Sequence, residues 1–333
     1  MAVRIKVLSN ASVAGVPAVE ARPGYVFAFD PATEDYDWLV VFDEMPFDDR
    51  GTYCGGREPL RCPRENTVLC TWEPVSIKSY SRAYTRQFAH LLTNRPPEAE
   101  GHPGYWLGRG YFPAMHGHAL HELATHPQKR KTVSAVCSAK QMKHTQHFAR
   151  YRLVSELAKA VPGMDWFGFG VRPLAKKHEA LDAYKYHVAV ENHIGVRHWT
   201  EKFADAILCE CLPFYAGDPA IGEIFPKESF IPIPIDDPAE AVRIVNAAIA
   251  ANEYEKRRAA VLEAKRLILE KYNFFDQIIG VIAAAGTGSA LARDGRPARM
   301  IYSRRALRRH SLSAVLSDIG LHLLKIVRRA NRA

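Results

Sequence analysis

The chain has 333 residues, 47% of them hydrophobic and 24% charged, an ordinary globular balance with length for two separate cores. It contains no run of eighteen apolar residues, which excludes an obvious membrane-spanning helix, and its opening MAVRIKVLSN lacks the apolar core of a signal peptide. The formal charge of +9 is unevenly placed: the segment from Arg293 to Ala333 holds eleven Lys/Arg against Asp294 and Asp318, so the rest is close to neutral. A basic tail on a neutral body gives no support for nucleic-acid binding by that body.

In chain order, the first half alternates short apolar runs with loops rich in Gly, Pro and acid. Arg4 to Leu8, Trp38 to Phe42 and Thr67 to Thr71 read as strands, a helix is expected over Ser81 to Phe88, and His90 to Thr93 leads into another strand. Asp35-Tyr36-Asp37 spells a DxD, but it precedes an apolar strand, so its carboxylates stand at the end opposite to where ligands collect. Glu73 does follow a strand, Thr67 to Thr71, as Asp43 and Glu44 follow the one before it. Histidines 116, 118, 121 and 126 cluster in a connecting segment that reads as a loop or short helix, and Cys54 and Cys62 lack the second pair that a zinc site needs. All six cysteines are expected to be reduced thiols.

The second half is more regular. An apolar strand over Thr132 to Ser138 precedes a helix expected from Ala139 to Val161, with Val154, Leu157, Ala158 and Val161 along one face. Met164 to Gly170 reads as a short strand with glycines, followed by a basic connection through Lys176 and Lys177. The stretch from Tyr184 to Phe230 carries most information. Tyr186 to Val190 is a strand ending on Glu191 and Asn192; Thr200 is an N-cap for a helix that buries Phe203, Ala206 and Ile207; Leu212 to Ala216 is the next strand. This is a βαβ unit with a right-handed crossover. Lys202 in the helix's first turn opposes the dipole unless an anion compensates it. Helices over Ala239 to Ala251 and Glu253 to Lys271 follow.

Several segments together resemble glycosyltransferase family 10, the α-1,3/1,4-fucosyltransferases, in its bacterial type. They are Tyr184-Lys185-Tyr186, Glu191-Asn192, Thr200-Glu201-Lys202, Pro213 with Gly217, and Pro226 with Ser229-Phe230-Ile231, in order and at compatible spacing. Ser138, Lys140, His147 and Arg150 match a further segment upstream, with Gln146 where the family has glycine. Other departures are Val190 for phenylalanine, His193 for a small polar residue, and His198 for an aromatic ahead of Thr200.

The resemblance implies an α/β fold of the GT-B type, two Rossmann-like domains facing across a cleft. Residues 1–125 would bind acceptor, 126–285 the GDP-sugar donor, and 286–333 would form a linker and basic amphipathic tail. It implies an inverting transfer of L-fucose from GDP-fucose to a glycan hydroxyl, in α-1,3 linkage, without a metal, within lipopolysaccharide or other surface-glycan biosynthesis. Trp72-Glu73-Pro74 is similar to the turn that carries the family's base, which makes Glu73 the expected catalytic residue. Arg150 and Lys202 would hold the diphosphate; Asn192, Glu201, His198 and Tyr186 complete the expected donor site. A related GT-B transferase using another nucleotide-sugar, or a non-catalytic glycan-binding or membrane scaffold, is the alternative. In the tail, Leu312, Val315, Leu316, Ile319, Leu323 and Ile326 recur at helical spacing between arginine clusters, the pattern of a helix lying on an anionic membrane surface, the alternative being a helix that docks on the body or pairs with another chain. The expected location is therefore cytoplasmic, peripheral on the inner face of the membrane, with an acceptor oligosaccharide or glycolipid as partner.

Overall fold

The computed structural model describes residues 1–9, 19–45, 56–71, 73–74, 78, 80–94, 104, 126–142, 146–286, 299–316 and 319–320. The chain divides into two compact units: residues 1–103 with 277–333, and residues 104–276. Each is an α/β unit on a largely or wholly parallel sheet.

The first unit contains β1 (Val3–Ser9), β2 (Val19–Arg22), β3 (Tyr25–Ala28), β4 (Trp38–Phe42), β5 (Arg57–Pro59), β6 (Thr67–Thr71), the single-turn helix α1 (Arg82–Thr85) and β7 (His90–Thr93). Its six-stranded sheet runs β2-β3-β1-β4-β6-β7. All neighbours are parallel except β2 against β3. Every residue of β4 and β6 is buried, which explains their unbroken apolar runs: a parallel strand covered on both faces has no polar side. Asp35 and Asp37 precede β4 and are engaged by Arg4, whose backbone N–H donates to Asp37 Oδ2 at 2.8 Å.

The second unit contains β8 (Lys131–Val136), α2 (His147–Ala160), β9 (Met164–Phe167), β10 (Tyr184–Val190), α3 (Glu201–Leu208), β11 (Leu212–Ala216), β12 (Ile231–Pro232), α4 (Pro238–Ala250) and α5 (Glu253–Glu270). The sheet order is β12-β11-β10-β8-β9, parallel throughout. From β8 the chain steps to β9 on one side and then crosses to β10 on the other, so β8 marks the topological switch point where open α/β sheets take ligands. Helix α2 begins eight residues later than expected at Ala139, because the chain past β8 first runs irregularly through Ser138 and Lys140. A last long helix, α6 (Phe274–Ala285), leads back to the first unit.

That return changes the reading of the C-terminal segment. Residues 300–302 form β13, antiparallel to β5, followed by α7 (Arg304–His310). Leu60 N–H donates to Arg299 O at 2.8 Å, and Ser303 N–H to Gly56 O at 2.7 Å. Gln87 closes the other side, donating to Tyr302 O at 2.9 Å and accepting from Tyr302 N–H at 2.8 Å. Ile301 is fully buried in the first unit's core with Leu8, Leu39, Leu69 and Tyr84, and Leu307 packs on the same cluster. Residues 299–307, read as part of a tail, are a structural element of the body.

Ile301→Ala should therefore lower stability by about 2–4 kcal/mol, the cost of an emptied core site. Truncation after Ala285 should be worse, and both are read by urea unfolding of the first unit.

Candidate anion-binding site of the second unit

The site is organised from the end of β10. Glu191 is fully buried there, and both its oxygens are committed: Thr200 N–H donates to Oε1 at 2.8 Å and Thr200 Oγ1–H to Oε2 at 2.6 Å. Thr200 in turn caps α3, its hydroxyl accepting from Lys202 N–H at 3.3 Å, as the sequence leads one to expect. Lys202 Nζ lies 2.9 Å from Glu201 Oε1 and 3.5 Å from Glu191 Oε2. The anions that a lysine at a helix N-terminus requires are thus supplied from within. Burial raises the Glu191 carboxyl, against the Lys202 charge. Burial would raise Glu201 too, but the Lys202 and Lys177 charges outweigh it and hold that carboxyl well below its ordinary range. Burial lowers the Lys202 ammonium, yet Glu201 and Glu191 prevail and raise it, so it is charged at neutral pH.

Gly217 follows from this arrangement. A Cβ there would stand 2.2 Å from the Tyr215 hydroxyl oxygen and 2.6 Å from Glu191 Cγ. Tyr215 donates to Glu191 Oε1 at 3.5 Å and accepts from Asp218 N–H at 3.1 Å. Only glycine lets the chain pass over the buried carboxylate.

Beside Glu191, Asn192 Oδ1 accepts from Arg150 Nη1. Arg150 is 7% exposed, and its Nε has no hydrogen-bond partner among the described residues. Arg150 and His147 sit in the first turn of α2, Glu201 and Lys202 in the first turn of α3. All four line one cavity of about 720 Å³ at the carboxyl ends of β8, β9 and β10. Five cations line it (Lys140, Arg150, Lys176, Lys177 and Lys202) against one carboxylate, Glu201. Lys177 is anchored to the buried Asp205 of α3 at 2.6 Å. Two helix N-termini and a cationic wall favour a polyanionic ligand.

Of the expected donor residues, Arg150, Lys202, Glu201 and Asn192 meet at this cavity. Tyr186 and His198 do not line it. Tyr186 is a core residue, stacked on Phe214 with ring centroids 5.3 Å apart, its hydroxyl donating to Ala248 O and accepting from Tyr254 N–H. His198 is buried with its ring 5.2 Å from that of His193. Sequence reasoning did not assign Lys176, Lys177 or Phe169 to the site; the crossover from β9 to β10 at the switch point is the signal that could have.

In the first unit, Glu73 is half-buried just past β6. Trp72 lies outside the described residues, as do Val75 and Ser76. Asp43, at the end of β4 with a left-handed φ of 67°, is buried and accepts from Lys78 Nζ at 2.8 Å and from the Tyr80 hydroxyl. Glu44 is buried and its carboxyl raised by that burial, with Arg304 N–H donating to it at 3.2 Å. Asp43 and Glu44, which follow the strand before that of Glu73, are thus both engaged within the first unit. His116, His118, His121 and Cys54 lie outside the described residues; His126 Nδ1 is 2.6 Å from Glu210 Oε1. Among the described residues no three His, Cys, Asp or Glu side chains converge as metal ligands.

Gly217→Ala should force the Tyr215 and Glu191 side chains apart and destabilise the second unit by about 1–3 kcal/mol, as overpacking does. Denaturant midpoints with and without the substitution check this.

Residues 126–247 match the model of the glycosyltransferase family 10 (fucosyltransferase) C-terminal domain. The alpha-(1,3)-fucosyltransferase FucT of Helicobacter pylori is 26% identical over 203 residues, 59% of this chain and 37% of that protein. The match thus spans little more than a third of that relative's length. Among solved structures, a crystal structure of an alpha1,3-fucosyltransferase is similar at TM-score 0.44 and 15% identity, covering 83% of this chain and 89% of that one. A second, of an alpha1,3-fucosyltransferase with GDP-fucose, is similar at TM-score 0.43 and 15% identity, covering 82% and 92%. Residues 126–247, the stretch similar to that family's C-terminal domain, hold both the Glu191 network and all the residues that line the cationic cavity.

Proposed function

We propose that the protein is an inverting fucosyltransferase, moving L-fucose from GDP-fucose to a hydroxyl of an acceptor glycan in α-1,3 linkage. The observation that carries this reading is the cavity itself. Five cations and two helix N-termini meet one carboxylate there, and the buried Arg150 Nε lacks a partner among the described residues. Arg150 offers a planar fork to the diphosphate, and Lys202 a fixed point charge. Together they would neutralise the charge that develops as the bond from the anomeric carbon to the diphosphate oxygen breaks. Glu73 would take the proton of the acceptor hydroxyl as its oxygen attacks from the opposite face, which inverts the centre. GDP then leaves with the bonding electron pair. In this reading the two cations do the work that a divalent metal does in other transferases.

Calorimetry tests the donor assignment. Lys202→Ala and Arg150→Lys should each weaken GDP binding about 10- to 100-fold, the worth of a hydrogen bond to a charged group. Glu73→Gln should bind GDP normally while losing ~10²–10⁴ of transfer rate. Unchanged GDP affinity in both cation variants would defeat the assignment; full transfer by Glu73→Gln would move the base elsewhere. A thermal-shift panel of GDP, UDP, ADP and CMP separates fucose transfer from a transferase with another nucleotide-sugar, since the bound nucleotide raises stability.

The same reading places the protein on the inner face of the cytoplasmic membrane, at the site of a glycolipid or oligosaccharide acceptor. Leu312, Leu316 and Ile319 support it, being 84%, 68% and 51% exposed while the chain just before them is docked on the body. Among the described residues no helix is long and apolar enough to cross a membrane. Leu323 and Ile326 lie outside the described residues. The full chain should sediment with phosphatidylglycerol vesicles and be released only partly by salt, because burial of apolar side chains is unscreened. Exchanging Leu312, Leu316 and Ile319 for serine should leave only salt-sensitive binding. Equal, salt-resistant binding by both proteins would remove the membrane face.

A further inference from the structure

The cavity contains one residue whose chemistry the diphosphate does not explain. Phe169 lines it and is 79% exposed, the most exposed aromatic side chain among the described residues. No ring contact with another aromatic residue holds it in place among the described residues. A phenylalanine left in water forgoes the burial that its apolar surface favours, unless a ligand covers it.

The backbone around it is built to present it. Strand β9 ends at Phe167, and Gly168 and Gly170 then adopt φ values of 139° and 79°, which favour glycine. A Cβ on Gly168 would lie 2.4 Å from Cys137 O, so nothing larger fits against the end of β8. Between these glycines, Phe169 O accepts from Ala139 N–H at 2.9 Å, and Gly168 N–H donates to Arg172 O at 2.8 Å. The turn is tied to β8 on one side and to its own return on the other, while the ring is left facing the cavity.

A cavity that combines cations with a single open aromatic face suits a ligand that combines an anion with a planar π-system. Its volume of about 720 Å³ falls in the range of small-molecule sites. We propose that Phe169 is the stacking platform for the purine base of the nucleoside diphosphate whose phosphates Arg150 and Lys202 hold. This rests on the nucleotide-sugar reading above and adds a residue that binds the base through its face. Stacking of this kind tolerates different bases, so Phe169 would supply affinity, and discrimination among bases would come from elsewhere.

The experiment is calorimetry of the full chain, Phe169→Ala and Phe169→Trp with GDP and with inorganic pyrophosphate, which carries the anion and no base. Phe169→Ala should weaken GDP about 10- to 100-fold and leave pyrophosphate unchanged, the range that loss of one base–aromatic stack produces. Phe169→Trp should keep wild-type GDP affinity and show quenched tryptophan emission as GDP is added. Unchanged GDP affinity in Phe169→Ala overturns the platform while leaving the donor site standing. Equal losses for GDP and pyrophosphate overturn it as well, since the turn and not the stack would then be at fault. If the unaltered chain binds pyrophosphate but none of GDP, UDP, ADP and CMP, the nucleotide-sugar reading falls and the platform with it.

Discussion

A buried carboxylate at the end of a strand governs the second unit. Glu191 spends both oxygens on Thr200 and holds Lys202 within 3.5 Å, so a charge that would be costly alone is matched by a helix N-terminus and an ammonium. The residues around it follow from that arrangement. Thr200 must be able to donate as well as cap, position 217 must lack a side chain, and Tyr215 must bring a hydroxyl and not a bare ring. Removing one partner would strand the others in a low-dielectric interior, where an unmatched ion costs more than the pair contributes. The short motifs around Glu191, Thr200 and Gly217 are therefore one connected hydrogen-bond network spread over three segments of sequence.

The cavity walls are cross-tied in the same way. Arg150 of α2 is steadied by Asn192 past β10, and Lys177 of the β9–β10 crossover is locked to Asp205 in the middle of α3, with 4% and 0% of those side chains exposed. Both helix N-termini and the crossover are fixed to one another before any ligand arrives. Cations held in this way need no rearrangement when an anion enters, which is the condition for electrostatic stabilisation to act fully on a developing charge.

Much of this was legible in the residues. Strands β4, β6, β10 and β11 are apolar runs of strand length, and Thr200 announces the start of α3 because a hydroxyl before an acidic first turn has few other uses. Of the five cations lining the cavity, motif order pointed to Arg150 and Lys202 as donor residues and left Lys176 and Lys177 unassigned. Tyr186 misled because a tyrosine within a motif gives no sign of which way it faces; the β10 register turns it into the core. Phe169 went unassigned for the opposite reason, since an aromatic between glycines looks like the end of a strand. The pairing of β5 with β13 was not legible at all. Two three-residue strands separated by more than two hundred positions carry no periodicity, and the arginines around β13 suggested a linker and basic amphipathic tail.

That pairing has a consequence for how the chain is made. The second unit is continuous, residues 104–276, and has all its strands once β12 is synthesised. The first unit is interrupted: its sheet is complete by Thr93, yet the core stays open at Ile301 until synthesis has moved on by some two hundred residues. Domains ordinarily mature in the order in which they are synthesised. Here the N-terminal unit begins first and finishes last, and for most of the time the chain is being made its apolar cluster around Leu39 and Tyr84 is uncovered where Ile301 will sit. Chaperone dependence in this protein should fall on the half that was synthesised earliest.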